Sequence, residues 1–180
     1  MSAVQPGILQ PVPTVARHLI FTHALDSNPL EQLRRLQEVA DGESLVVGLG
    51  QSLLAHLGCE IKGMQDMPVL SGSAVEIPST PASLWIWLRG EERGDLVVQT
   101  LELKQRLAGA FTLRDVVDCF KYRDSRDLSG YVDGTENPEG EKAERAALLS
   151  SNIDALDGSS FASVQQWLHN LDHFHGLPPS

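Results

Sequence analysis

The feature that most constrains the fold is the order in which strand-like and helix-like patterns alternate along residues 15–122. Val15 to Ala24 (VARHLIFTHA) is rich in strand formers and is bounded by Pro13 and by Asp26-Ser27-Asn28-Pro29, so it reads as a strand. Asn28 then caps a helix with Pro29 at its first position, and Leu30, Leu33, Leu36 and Ala40 recur on one face until Asp41-Gly42 stops it. Ser44 to Leu49 is a short buried strand, followed by a helical turn or two from Gln51 to Leu57. Ser83 to Arg89 (SLWIWLR) is a strand whose apolar residues point to burial on both faces. Asp95 caps a second helix with Leu96, Gln99, Leu103 and Leu107 near one face, ended by Gly109, and Leu113 to Tyr122 is a fourth strand. Strand, helix, strand, strand, helix, strand is the split βαβ, ferredoxin-like order: an α+β domain with an antiparallel sheet and its helices on one face.

The remainder is less regular. Gly58 to Pro81 is punctuated by Gly and Pro and reads as a long connection, which inside a compact domain is functional or packed against something. Beyond Arg123 the periodicity fades, apart from a helix with a solvated face at Glu139 to Leu149. Ser160 to Leu168 (SFASVQQWL) alternates and reads as a fifth strand, and Ser180 as a helix N-cap with nothing after it to cap. These features divide the chain into a ferredoxin-like domain at 1–122, a loop and linker at 123–159, and a further strand-bearing stretch at 160–180, which the resemblance described below implies is the first strand of a second, truncated ferredoxin-like domain. Such a strand, deprived of sheet partners, leaves an open edge prone to self-association.

A formal net charge of -10 and the lack of any basic stripe argue against nucleic acid and anionic membranes as partners. No basic region followed by an apolar stretch opens the chain, so the expected location is cytoplasmic. Cys59 and Cys119 form no CxxC pair and read as two small buried hydrophobes, a disulfide between them being the lesser option.

The chemistry concentrates in Arg126 to Pro138, RDLSGYVDGTENP. Taken without context, Asp133-Gly134 is a turn dipeptide and the residues after it are loop chemistry. The run nevertheless resembles the GxxDG motif and its surroundings in the bacterial, cytoplasmic branch of the dye-decolorizing haem peroxidases. Gly130-Tyr131-Val132-Asp133-Gly134 matches the motif itself. Val4 to Leu9 (VQPGIL) looks like that family's opening segment, and Ser163 to Leu177 resembles the start of its second domain.

The resemblance implies haem b as cofactor, hydrogen peroxide and an aromatic reductant (a dye, a phenolic or a porphyrin-like compound) as substrates, a homo-oligomer, and in some members an encapsulin shell. It implies Asp133 as distal acid–base residue, taking a proton from peroxide and returning it to the departing oxygen, with best activity in mildly acidic solution. Gly130, Val132, Asp133, Gly134, Thr135, Glu136 and Asn137 become haem-lining residues. For Thr135, Glu136 and Asn137 ordinary turn stabilisation reads as well as haem contact. The family's proximal histidine and distal arginine fall beyond Ser180, so no metal ligand is assigned within the chain. His169, His173 and His175, like His18, His23 and His56, read as packed or solvated side chains rather than ligands. Trp85 and Trp87 read as core, whereas Trp167 faces either the second-domain core or the haem environment. Two further readings stand beside the enzyme: a non-catalytic truncated module for folding or oligomerisation, and a small barrel-forming α+β dimer.

Overall fold

The computed structural model describes residues 4–72, 75–153 and 156–178. Four strands, β1 (Val15–His23), β2 (Leu45–Leu49), β3 (Leu84–Gly90) and β4 (Phe111–Phe120), form one antiparallel sheet in the order β2-β3-β1-β4. Helix α1 (Leu30–Gln37) follows β1, the short α2 (Gln51–His56) follows β2, and α3 (Arg93–Leu107) connects β3 to β4. This is the ferredoxin-like order expected from the sequence. The register explains the core: Leu19 pairs with Ile86, Phe21 with Leu84, and Leu88 with Leu45, so cross-strand partners present their side chains to one face. Leu36 of α1 and Leu96, Leu103 and Leu107 of α3 close over that face in a single cluster.

Several elements depart from expectation. Helix α1 ends at Gln37, short of Asp41-Gly42, and the Asp41 carboxylate instead accepts the backbone N–H groups of Glu43, Ser44 and Leu45, building the turn into β2. Helix α3 begins before Asp95: Glu92 is its cap, accepting from the Gly94 N–H at 3.0 Å, and Thr100 rather than Gln99 lies on the buried face. Cys59 is exposed and Cys119 half-buried, and both are free, because Cys59 follows α2 into the connection instead of entering the sheet.

Strand β3 is not equally buried on both faces. Leu84, Ile86 and Leu88 are fully buried, whereas Trp85 and Trp87 lie half-buried on the face away from the core. There the His18 ring stacks beside both indoles, with centroids at 5.7 and 5.9 Å, and Trp85 Nε1 donates to His18 Nδ1 at 3.1 Å. Arg89, buried beside them, donates to the carbonyls of Gly7 and Pro11 and lies over the Trp87 ring, tying the N-terminal segment to the sheet. Outward-facing aromatics on a strand read as core in sequence because aromatic content marks strands irrespective of face.

This arrangement has a pH consequence. Burial holds the His18 pKa below its ordinary 6.5, and protonation at Nδ1 would remove the acceptor of the Trp85 bond. His23 is lowered too, by burial and by His56, whose ring lies 4.8 Å away. The unfolded chain therefore takes up protons near pH 6.5 that the folded chain resists. Stability is intact above that pH and is lost as pH falls through the depressed folded pKa values. Urea midpoints between pH 7.5 and 5 should decline, and His18→Gln, which retains an acceptor, should flatten the decline. An unchanged slope in that variant would remove His18 from the account.

The strand expected over 160–168 does not form, and the segment pairs with no sheet edge. Its apolar side chains lie in solvent, Leu168 at 91 % exposure and Trp167 at 60 %. Alternation says which side chains share a face, not which edge a segment pairs with, and this segment joins neither β2 nor β4, the two edge strands of the sheet. Ser180 lies outside the described residues.

Candidate functional site

The loop after β4 is shaped by backbone conformations that few residues adopt. Arg123 and Ser125 have φ of 50° and 71° although neither is glycine. Each such residue costs about 1 kcal/mol, so neighbouring bonds must hold them in place. Those bonds are present. Arg126 forks onto the Asp124 carboxylate through Nε at 2.8 Å and Nη2 at 3.1 Å, and its Nη1 donates to the Gly130 carbonyl at 2.8 Å. The Arg126 guanidinium holds the Asp124 carboxyl below the usual carboxylate range. Ser129 does the same for Asp127, by donating its hydroxyl and backbone N–H to that carboxylate.

The hairpin is closed by backbone bonds. Asp127 N–H donates to the Tyr131 carbonyl at 3.0 Å, Gly130 N–H to the Asp127 carbonyl at 3.0 Å, and Asp133 N–H to the Ser125 carbonyl at 3.1 Å. Gly130, with φ of 94°, sits at the tip, and a Cβ there would meet open space. At Gly134, φ is 76°, a conformation that favours glycine; a Cβ there would lie 2.7 Å from the tip of the exposed Asn137 side chain, which can move aside.

Asp133 is exposed, and its Oδ1 accepts the Gly134 N–H at 2.8 Å. Thr135, Glu136 and Asn137 come together along an open groove of about 670 Å³ that continues over Pro138 and onto helix α4 (Glu141–Ala147). Asp133, Gly130 and Val132 do not line that groove. The far end of the chain returns to the loop: Phe174 of α5 (Leu171–His175) meets the Tyr131 ring edge-on at 6.2 Å, and the charge of His169 acts on Asp127. Trp167 faces neither a second core nor an enclosed pocket, but solvent. Among the described residues no three His, Cys, Asp or Glu side chains are placed to hold a metal ion. No helix among them is long and apolar enough to cross a membrane.

Arg126 is the residue that reading the motif alone missed. Its signal was present as Asp124-x-Arg126, a spacing that lets a fork close within one turn, but the partner carbonyl of Gly130 became visible only with the hairpin folded. The Tyr131–Phe174 contact left no local signal at all.

Residues 124–179 match the family model described as Dyp-type peroxidase, C-terminal. A dye-decolorizing peroxidase of Rhodococcus erythropolis is 30 % identical over 191 residues, spanning 99 % of this chain and 56 % of that protein. A Dyp-type peroxidase protein from Shewanella oneidensis superimposes with a TM-score of 0.82 at 26 % identity, covering 96 % of this chain and 60 % of that one. The chain belongs to the dye-decolorizing peroxidase family. It is also similar to a DypB variant of Rhodococcus jostii solved in complex with heme, at 27 % identity and a TM-score of 0.70 over 83 % of this chain and 53 % of that one. The chain thus spans a little over half the length of these relatives. A dye-decolorizing peroxidase of Mycobacterium tuberculosis is 29 % identical over 74 % of this chain and 41 % of its own length.

The loop leaves surface that a flat group such as a haem edge would need. Its glycine tip has open space for a flat group to approach, Val132 and Tyr131 present exposed apolar surface, and the Asp133 carboxylate is unencumbered on one oxygen.

Proposed function

We propose that this chain is the distal-loop portion of a haem-dependent peroxidase that reduces hydrogen peroxide and oxidises dyes, phenolics or porphyrin-like compounds in the cytoplasm. The observation that carries the reading is the hairpin from Arg126 to Pro138: it bears the family's motif, and it presents Asp133 at a turn with one carboxylate oxygen engaged by Gly134 N–H and the other open. Gly130, Val132, Gly134, Thr135, Glu136 and Asn137 would line the haem edge, Gly130 through its bare backbone. Haem b, when bound, supplies the redox chemistry. The free oxygen of Asp133 takes a proton from one peroxide oxygen and returns it to the departing one, acting as base and then as acid. The engaged oxygen fixes the carboxylate's direction while that proton moves. In this reading 123–159 is the distal loop and linker, and 160–180 is the start of a second domain. This reading assigns no residue of 1–180 as axial histidine or distal arginine.

A second reading, a non-catalytic module for folding or oligomerisation, rests on the sheet unit of residues 15–120 having its own closed core without the loop. Haem separates the two. The longer polypeptide that contains this chain, expressed with haem, should show a strong Soret band and bleach an anthraquinone dye only when peroxide is added. The chain of 180 residues alone should show a weak band or none. A colourless, stable longer polypeptide favours the module.

A further inference from the structure

We infer that Arg126 is a positioning residue for Asp133: its guanidinium locks the strained turn whose Ser125 carbonyl holds the Asp133 backbone. The inference rests on the peroxidase reading for its purpose, but not for its geometry.

The geometry runs in one direction. Two of the guanidinium nitrogens grip Asp124, which lies between the two non-glycine residues in the left-handed region, Arg123 and Ser125. The third donates to Gly130, across the hairpin. The fork therefore ties both sides of the hairpin at once, something a planar, multi-donor cation can do and a lysine ammonium cannot do in the same way. Ser125, held in its unfavourable conformation, turns its carbonyl to accept the Asp133 N–H at 3.1 Å. Asp133 in turn orients its own carboxylate on the Gly134 N–H at 2.8 Å. Each link is local, and none involves the sheet. Apart from the fork, the hairpin is held by the backbone bonds between Asp127 and Tyr131 and between Gly130 and Asp127, by Ser129 on the Asp127 carboxylate and by the Tyr131–Phe174 contact, none of which reaches Asp124 or the Ser125 carbonyl.

The test uses the chain itself, without haem. Backbone amide exchange by NMR should show Asp133 and Asp127 protected in the native protein. The Gly134 amide resonance should move with pH as its carboxylate acceptor changes charge. In Arg126→Gln and in Asp124→Asn, Asp133 exchange should quicken at least about tenfold and the Gly134 response should flatten, with amides of β1 and β3 unchanged. Arg126→Lys, which keeps the charge but loses the fork, should restore less than half of the protection. A Gly134 response that persists in Arg126→Gln overturns the inference, because a merely supportive arginine would not set the carboxylate's direction. So does full rescue by Arg126→Lys, or an Asp133 amide unprotected in the native protein. If Arg126→Gln unfolds the sheet, Asp124→Asn decides, and unfolding in both also overturns it. Absence of haem from the longer polypeptide would defeat the peroxidase reading and leave these amide results standing.

Discussion

Replacing Asp133 with asparagine is expected to slow peroxide-dependent dye oxidation about a hundredfold in the haem-loaded polypeptide that contains this chain, the low end of what a positioned acid–base group contributes. That is about 2.7 kcal/mol of barrier. The substitution is informative because it is nearly isosteric. The asparagine side-chain oxygen can still accept the Gly134 N–H that Asp133 Oδ1 accepts at 2.8 Å, so the hairpin should keep its shape. What the amide cannot do is take a proton from peroxide and return it. The Soret band and the loop's amide protection should therefore match the native protein while turnover falls. Activity within about threefold of native, with haem bound, would return Asp133 to an ordinary turn residue.

Phe21→Ala is the largest stability effect expected, about 3–5 kcal/mol. Phe21 is 1 % exposed on β1, the strand that pairs with both β3 and β4, and its ring belongs to the cluster beneath α1 and α3. The lost transfer free energy adds to that of a cavity the rigid sheet cannot close. A domain of ordinary stability has about 5–15 kcal/mol in total, so the variant should unfold at markedly lower urea. The loop at 123–138 lies outside this core, so at low temperature its amide pattern should persist in the surviving folded fraction. A cost under about 1 kcal/mol would mean that the packing around β1 is looser than the structure shows.

Together the two variants separate scaffold from site. One removes a ring from the core and leaves the hairpin intact. The other leaves every packed atom in place and removes one proton-carrying group. The Arg126 variants lie between them, since they alter where a group points without altering what it is.

The sequence was read most reliably where a local pattern has one structural outlet. The Leu-rich faces of α1 and α3 and the bounded runs of β1 to β4 can bury their apolar residues in few ways, and the ferredoxin-like order followed from them. The motif was legible for a different reason: the run from Arg126 to Pro138 is long enough to match by resemblance, although its chemistry alone says only turn. Where the answer depended on partners distant in the chain, the sequence misled or was silent. Alternation over 160–168 called for a strand, but alternation does not name a pairing partner, and in the folded chain the segment pairs with neither edge strand. Trp85 and Trp87 carried the composition of a core, but the pleat assigns faces, and the register with β1 turned both toward His18. Thus the sequence by itself determined the order of strands and helices along residues 15–122, because periodicity and turn chemistry act over a few residues, and it carried the motif as a run long enough to match by resemblance. The tertiary structure alone decided which strand face is core, that Cys59 stays exposed, and that Arg126 reaches across to Gly130, because each depends on groups that only folding brings within a few ångströms.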